Sequence, residues 1–212
     1  GGRTFAIDTT RGTVLWSFVV SDLDPTLDGA AVRGPALIEG STIVLMARKG
    51  GPQRRMVGLY LVGVSLDDGA LRWIRSVASA GSIFRGVETR MEHAAALGRG
   101  VVYCSDRLGV VAAVEAATGR PVWIRRAPVL APGNMAYGMM PEPARPWQWD
   151  SPVILDESVF TVSPDRQSLL VLDRLTGAIR GQRSAEELGS PLYLLAVGER
   201  LAGVSGNAVT FV

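Results

Sequence analysis

An all-β fold built from recurring four-stranded antiparallel units is what this 212-residue sequence predicts. Three observations point to it. A glycine-centred segment occurs four times at similar spacing, short β-branched runs flank each copy, and a tryptophan stands four residues after the glycine in three of the four. The copies run from Ala6-Ile7-Asp8 to Gly12 and Trp16, from Gly63-Val64-Ser65 to Gly69 and Trp73, from Ala113-Val114-Glu115 to Gly119 and Trp123, and from Val171-Leu172-Asp173 to Gly177, with Gly181 in the tryptophan's place. Successive glycines lie 57, 50 and 58 residues apart. Self-similarity at such a period marks repeats of one supersecondary unit each.

Each glycine reads as the turn of a hairpin. Residues 110–114 and 121–124 are short, apolar and β-branched on either side of a turn rich in Thr and Gly, and Asp8 or Asp173 can accept turn amides while the glycine takes a positive φ. Two further strand candidates precede each hairpin. They are 36–39 and 42–47 ahead of 56–64 and 71–77 in the second copy, 93–97 and 101–105 in the third, and 152–155 and 159–163 in the fourth. Four strands per unit at this period predict a β-propeller, whose blades bury both faces against their neighbours. The expected organisation is one propeller segment over residues 1–212: a partial blade at 3–20, complete blades at 34–77, 93–126 and 151–182, a partial blade at 191–212, and an inter-blade insertion at 127–150. Both partial blades contain a third strand, so they do not complement each other, and a slice of a seven- or eight-bladed ring is expected. Trp16, Trp73 and Trp123 are expected as plates between blades.

Composition narrows the chemistry. With 47% hydrophobic and 20% charged residues the chain has the content of a packed core, and no apolar run nears the roughly 20 residues of a membrane span. The start Gly1-Gly2-Arg3-Thr4 lacks an initiator methionine, so the sequence reads as part of a longer polypeptide. A single cysteine, Cys104, cannot form an intrachain disulfide, and the single histidine, His93, leaves most zinc and iron sites short of ligands. The net charge of +2 conceals a basic middle: residues 31–130 carry fourteen cations and seven carboxylates, and both flanks are acidic. Lys49 is the sole lysine among 22 basic residues.

The segment Ala6-Ile7-Asp8-Thr9-Thr10-Arg11-Gly12-Thr13-Val14-Leu15-Trp16 resembles the Ala-x-Asp-x-x-Thr-Gly-x-x-x-Trp repeat of the pyrroloquinoline-quinone (PQQ)-like β-propellers, departing from it at Arg11. Residues 113–123 depart at Glu115; the second copy has Gly63, Ser65 and Asp68 at motif places; the fourth keeps Asp173 through Gly177. The family includes quinoprotein alcohol dehydrogenases and an outer-membrane assembly lipoprotein with an eight-bladed ring. The resemblance implies a bacterial protein of the periplasm or cell envelope, and admits PQQ with calcium as cofactor. Quinoproteins of the family hold the quinone at the ring axis with a metal, a catalytic aspartate and often an adjacent Cys-Cys pair. Cys104 is alone, and no Asp here maps onto the catalytic or metal positions. The motif residues Asp8, Gly12, Trp16, Gly69, Trp73, Glu115, Gly119, Trp123, Asp173 and Gly177 are expected to hold blades together.

Binding residues are expected on the loops opposite those turns, since function sits on irregular loops of a rigid scaffold. The acidic loop 21–29, with Asp22, Asp24 and Asp28, reads either as a solvated turn or as a partial calcium loop whose closing Glu is replaced by Pro35. A second loop gathers Arg48, Lys49, Arg54 and Arg55 around glycines; it lacks the interleaved aromatics of a nucleic-acid site. A third contains Arg85 and runs into His93, read as a hydrogen-bonded blade residue or a ligand. The insertion is long and aromatic, with Tyr137, Arg145, Trp147, Trp149 and Asp150. Its rings either cap the central channel or form a stacking platform. No nucleophile elbow or phosphate loop occurs. The function expected is a non-catalytic module binding protein, peptide or glycan on this loop face, beside other blades or domains of the same chain. The alternative is a fragment of a PQQ-dependent oxidoreductase whose cofactor site lies mostly elsewhere.

Overall fold

The computed structural model describes residues 2–50, 56–81, 92–106, 108–127, 149–163, 168–184, 186–189, 191–206 and 208–211. Strands Arg3–Ile7 (β1) and Val14–Val19 (β2) form a hairpin, followed by two single-turn 3-10 helices, Val20–Asp22 and Pro25–Leu27. Three four-stranded antiparallel sheets come next in the chain. The first comprises Ala30–Glu39 (β3), Thr42–Gly50 (β4), Met56–Ser65 (β5) and Leu71–Gly81 (β6). After the two-residue strand Glu92–His93 (β7) comes the second, Ala95–Gly98 (β8), Val101–Asp106 (β9), Val110–Glu115 (β10) and Pro121–Arg126 (β11). Strand Trp149–Asp150 (β12) leads into the third, Val153–Leu155 (β13), Ser158–Val162 (β14), Ser168–Asp173 (β15) and Ile179–Ser184 (β16). A three-stranded sheet of Tyr193–Val197 (β17), Arg200–Val204 (β18) and Val209–Phe211 (β19) closes the series. These five sheets are called blades I to V. Their first strands β3, β8, β13 and β17 stand side by side at the inner edge.

The core is a set of layers between blades. Trp16 and Phe18 of blade I meet Ile43, Leu45, Val62 and Val64 of blade II. The opposite face of blade II, with Val44, Met46, Leu59 and Leu61, packs on Val102, Cys104, Ala112 and Val114 of blade III. Tyr103, Val111, Ala113 and Trp123 then pack on Val159, Leu170 and Leu172 of blade IV, and Val162 and Leu169 pack on Leu194 and Leu201 of blade V. A strand buried on both faces has no polar side to show. That is why 43–47 and 110–114 are continuous apolar runs.

The glycine turns share one geometry. Asp8, Ser65, Glu115 and Asp173 each accept the glycine amide four residues on, at 2.7–3.0 Å. The glycines at 12, 69, 119 and 177 all have φ between +68° and +72°, a region that costs an L side chain energy. A second demand acts at three of them. Trp16, Trp73 and Trp123 lie flat over Gly69, Gly119 and Gly177 of the next blade, where an added Cβ would come within 2.9, 2.5 and 2.5 Å of the indole. Each indole Nε1 donates to the carbonyl three residues before that glycine: Leu66 (3.0 Å), Ala116 (3.2 Å) and Arg174 (2.9 Å). Ala6, Gly63 and Ala113 lie across the sheet from these tryptophans and leave them room. In blade IV the sizes are exchanged, Val171 opposite Gly181.

Two strand expectations change. Strand β3 starts at Ala30 rather than at residue 36, because Gly34 (φ +70°) and Pro35 bulge out between the pairs Arg33↔Met46 and Leu37↔Val44 and the ladder continues beyond them. The run 93–97 is two strands: His93 pairs in parallel with Asp150, whereas Ala95 pairs with Cys104.

Candidate interaction face

In an up-and-down sheet the first and third connections leave from one end, and the second connection and the link to the next sheet leave from the other. The molecule therefore has a turn end, with the glycine turns, and a loop end.

The turn end is knit by side chains. Asp8 accepts the amides of Thr10 and Arg11 at 2.8 and 3.1 Å, and Asp173 accepts those of Leu175 and Thr176 at 3.0 and 2.7 Å and also pairs with Arg180. The backbone amide and hydroxyl of Thr176 lead in holding the Asp173 carboxyl below its usual range. Thr118 does the same for Glu115 through its hydroxyl, and Arg120 adds an ion pair at 3.4 Å. Glu157 of blade IV pairs with Arg174 of its own blade at 3.0 Å and with Arg99 of blade III at 3.0 Å. Arg174 is 7% exposed, and its hydrogen bond to Glu157 leads in depressing that carboxyl. The Arg174 carbonyl receives Trp123 Nε1 at 2.9 Å and Tyr103 Oη at 3.5 Å. Sequence reasoning missed Glu157 and Arg99. The Asp156-Glu157 turn was legible, but nothing local says which blade its carboxylate reaches.

Of the residues expected to bind, the described ones are Arg48, Lys49 and, by its backbone, Trp149. Arg48 and Lys49 are not in a loop: β4 continues to Gly50, with Arg48 opposite Leu59 and Lys49 opposite Gly58. Lys49 Nζ donates to the Thr26 carbonyl at 2.9 Å, tying blade II to the acidic segment before it. In that segment Asp24 caps the 3-10 turn by accepting the Thr26 amide (2.8 Å) and hydroxyl (2.7 Å), and the hydroxyl contact leads in lowering its pKa. Leu27 and Val20 anchor the segment in the core, so it is a packed connection. Arg54, Arg55, Arg85, Tyr137, Arg145 and Trp147 lie outside the described residues. Trp149 is placed by its backbone in β12, opposite Glu92, and Asp150 is opposite His93. This pairing joins the end of the insertion to the lead-in of blade III. Between blades III and IV, Thr161 Oγ1 donates to Ser105 Oγ at 2.9 Å, both residues buried.

A PQQ and calcium site needs carboxylate and amide oxygens gathered near the axis. The motif carboxylates lie instead in the turns, occupied by turn amides, hydroxyls and arginines, and no group of three or more His, Cys, Asp or Glu side chains among the described residues could hold a metal. The described residues do not fit that cofactor. No helix among them is long and apolar enough to cross a membrane.

Comparison with known proteins agrees with this geometry. BamB from Moraxella catarrhalis superposes with a TM-score of 0.60 at 21% identity, over 99% of this chain and 54% of that one; this chain thus spans about half the length of that protein. A quinohemoprotein alcohol dehydrogenase from Comamonas testosteroni gives 0.55 at 15% identity, over 95% of this chain and 37% of its own. The computationally designed Ika4 protein gives 0.51 at 14% identity, over 85% and 89%. These likenesses show the fold. No curated protein sequence matches the chain. A family model described as outer membrane protein assembly factor BamB matches residues 1–183 and 85–208, and with the docked tryptophans and glycine turns in place this chain belongs to the PQQ-like repeat family of β-propellers.

Proposed function

We propose that the chain is a non-catalytic interaction module that presents its loop end to a protein, peptide or glycan partner. One observation carries this reading: the polar groups that define the repeat are consumed in building blades. The Asp8 and Asp173 carboxylates accept turn amides, Glu115 accepts the Thr118 hydroxyl, and the three motif indoles donate to neighbouring turns. A carboxylate committed to turn amides is poorly placed to ligate a metal or move a substrate proton. The family description and the likeness to BamB support a protein partner, and the backbone of β12 places Trp149 and Asp150 at the end of the insertion, paired with Glu92 and His93.

Incubation with PQQ and calcium, followed by gel filtration, tests the reading. The protein peak is expected to show no quinone absorbance and no dye-linked alcohol oxidation. Turnover above the buffer rate would overturn the proposal and assign the chain to the quinoproteins. For the loop end, Trp147→Ala together with Trp149→Ala is expected to leave unfolding cooperative and its midpoint nearly unchanged. A large fall would make these rings packing residues instead.

A further inference from the structure

The outermost strands of the blades share a charge pattern that differs from that of both ends. Strands β2, β6, β11 and β16 each stand at the outer edge of their sheets. Among them β6, β11 and β16 carry six arginines, Arg72, Arg75, Arg125, Arg126, Arg180 and Arg183, and none of the four strands contains an aspartate or glutamate. Arginine is common throughout this chain, so its number alone decides nothing. Its register does. Arg75, Arg125 and Arg183 stand opposite Leu61, Val111 and Leu169, the same rung of three successive blades, two residues past the tryptophan place. Arg72 and Arg180 occupy the bulge just before that place in blades II and IV.

The two tiers are used differently. Arg72 donates to the Ser41 and Thr42 hydroxyls at 2.8 and 2.7 Å, and Arg180 pairs with Asp173, so the bulge tier is spent within its own blades. Arg75 commits its Nε to the Gly119 carbonyl at 2.8 Å, leaving its terminal nitrogens. Arg125, Arg126 and Arg183 are exposed and make no hydrogen bond or ion pair with another described residue. Beside them Val122, Ile124 and Ile179 are each 45% exposed. Charges on an edge strand guard it against pairing with other chains, but such a guard gains nothing from bare aliphatic side chains next to it.

We propose that the outer rim of blades II to IV is a second interaction surface, separate from the loop end, whose partner is a protein segment combining carboxylates with aliphatic side chains. Charge complementarity selects the carboxylates. Arg75, Arg125, Arg126 and Arg183 offer guanidinium donors with no acidic neighbour on the outer strands, and a guanidinium holds a carboxylate through parallel hydrogen bonds. Val122, Ile124 and Ile179 select a protein over a bare polyanion, which has nothing apolar to lay against them. The surface does not depend on the loop-end reading, so either can fail alone.

The test follows the fluorescence anisotropy of two short labelled peptides on the full chain in about 50 mM salt, one alternating glutamate and valine, the other glutamate and serine. The glutamate–valine peptide is expected to bind, and the glutamate–serine peptide to bind at least ~tenfold more weakly. Arg125→Ser, Arg126→Ser and Arg183→Ser together should weaken the first peptide by ~tenfold with the thermal midpoint unchanged. Should that triple variant fail to fold, each single change is read instead, with a loss of ~twofold expected. Ile124→Ser should weaken the glutamate–valine peptide and leave the glutamate–serine peptide unaffected. Arg54→Ser with Arg55→Ser, in the β4–β5 connection, should change neither. Equal binding of the two peptides would make the rim a site for polyanions in general, and a loss on changing Arg54 and Arg55 would move the site to the loop end. Either result overturns the proposal, as does undiminished binding by the arginine variants or no binding of either peptide.

Discussion

The seam between blades III and IV and the seam between blades IV and V are assembled from the same strand pattern with different fillers. At the first, Trp123 lies 8% exposed over Gly177 and shares the Arg174 carbonyl with Tyr103, and Glu157 clamps the guanidinium below. At the second, β16 offers Gly181, Val171 fills the room opposite, and contact rests on Val162, Leu169, Leu188, Leu194 and Leu201. Aliphatic packing is roughly proportional to area and indifferent to direction. An indole with one donor fixes both distance and rotation between sheets. The indole seam therefore sets blade angle as well as strength.

Removing the indole is the most damaging way to break that comparison. Trp123→Ala is expected to cost ~3 to 5 kcal/mol, as for other buried large aromatics, measured by urea unfolding. Gly181→Ala should cost much less, since a Cβ there meets only Val171 at 3.9 Å. Equal losses would show that the two seams are held alike.

The glycine beneath the indole separates backbone strain from packing. Gly12→Ala and Gly177→Ala meet nearly the same φ of +68°, so each carries about 1–2 kcal/mol of strain. Gly177→Ala must also displace the Trp123 ring, adding about 1–3 kcal/mol. The difference between the two midpoints reports the docked ring. Identical losses would mean that the indole moves aside freely.

These seams were legible in the sequence for a definite reason. A position that needs both a positive φ and a bare Cα under an indole accepts little besides glycine, and the indole has one place from which to reach the carbonyl, so Gly119 with Trp73 and Gly177 with Trp123 leave a fixed imprint. Other features leave none. Arg48 and Lys49 stand next to Gly50 and Gly51 and read as a loop tip, although the ladder runs on to Gly50↔Val57. The run 93–97 conceals a change of sheet at Ala94, because small apolar residues suit either partner. Glu157 follows Asp156 (φ +51°) in a turn whose local signal carries no information on the arginines it meets, Arg174 in the β15–β16 turn of its own blade and Arg99 across the seam. Most loop residues expected to bind fall outside the described residues, and the pairing of Glu92–His93 with Trp149–Asp150 joins segments more than fifty residues apart that share no motif.

A smaller effect probes the polar contact at the loop end of the same seam. Thr161→Val keeps the shape of a buried side chain and removes the donor to Ser105 Oγ, 2.9 Å away. About 1 kcal/mol should be lost in urea unfolding, well below the cost of Trp123→Ala. A loss as large as that of the tryptophan would relocate the main strength of the seam from the turn end to the loop end.

Least costly at neutral pH, and most informative about mechanism, is Glu157→Gln, since the amide can still accept from Arg174. Hydrogen bonding from Arg174 holds the Glu157 carboxyl below its usual value in the folded chain. On acidification the unfolded chain therefore takes up this proton first. The contribution of Glu157 to stability is full above the ordinary carboxylate range and is lost as pH falls through that range toward the depressed folded value. Glu157→Gln removes that part of the acid dependence, so its stability should fall less steeply below about pH 4.5. Asp24, Asp68, Glu115 and Asp173 are depressed as well and keep a residual slope in the variant. Leu169→Ala, in the aliphatic seam, should lower the whole curve without changing its slope. If Glu157→Gln retains the full acid slope, the clamp on Arg174 contributes no pH sensitivity and does not distinguish the two seams.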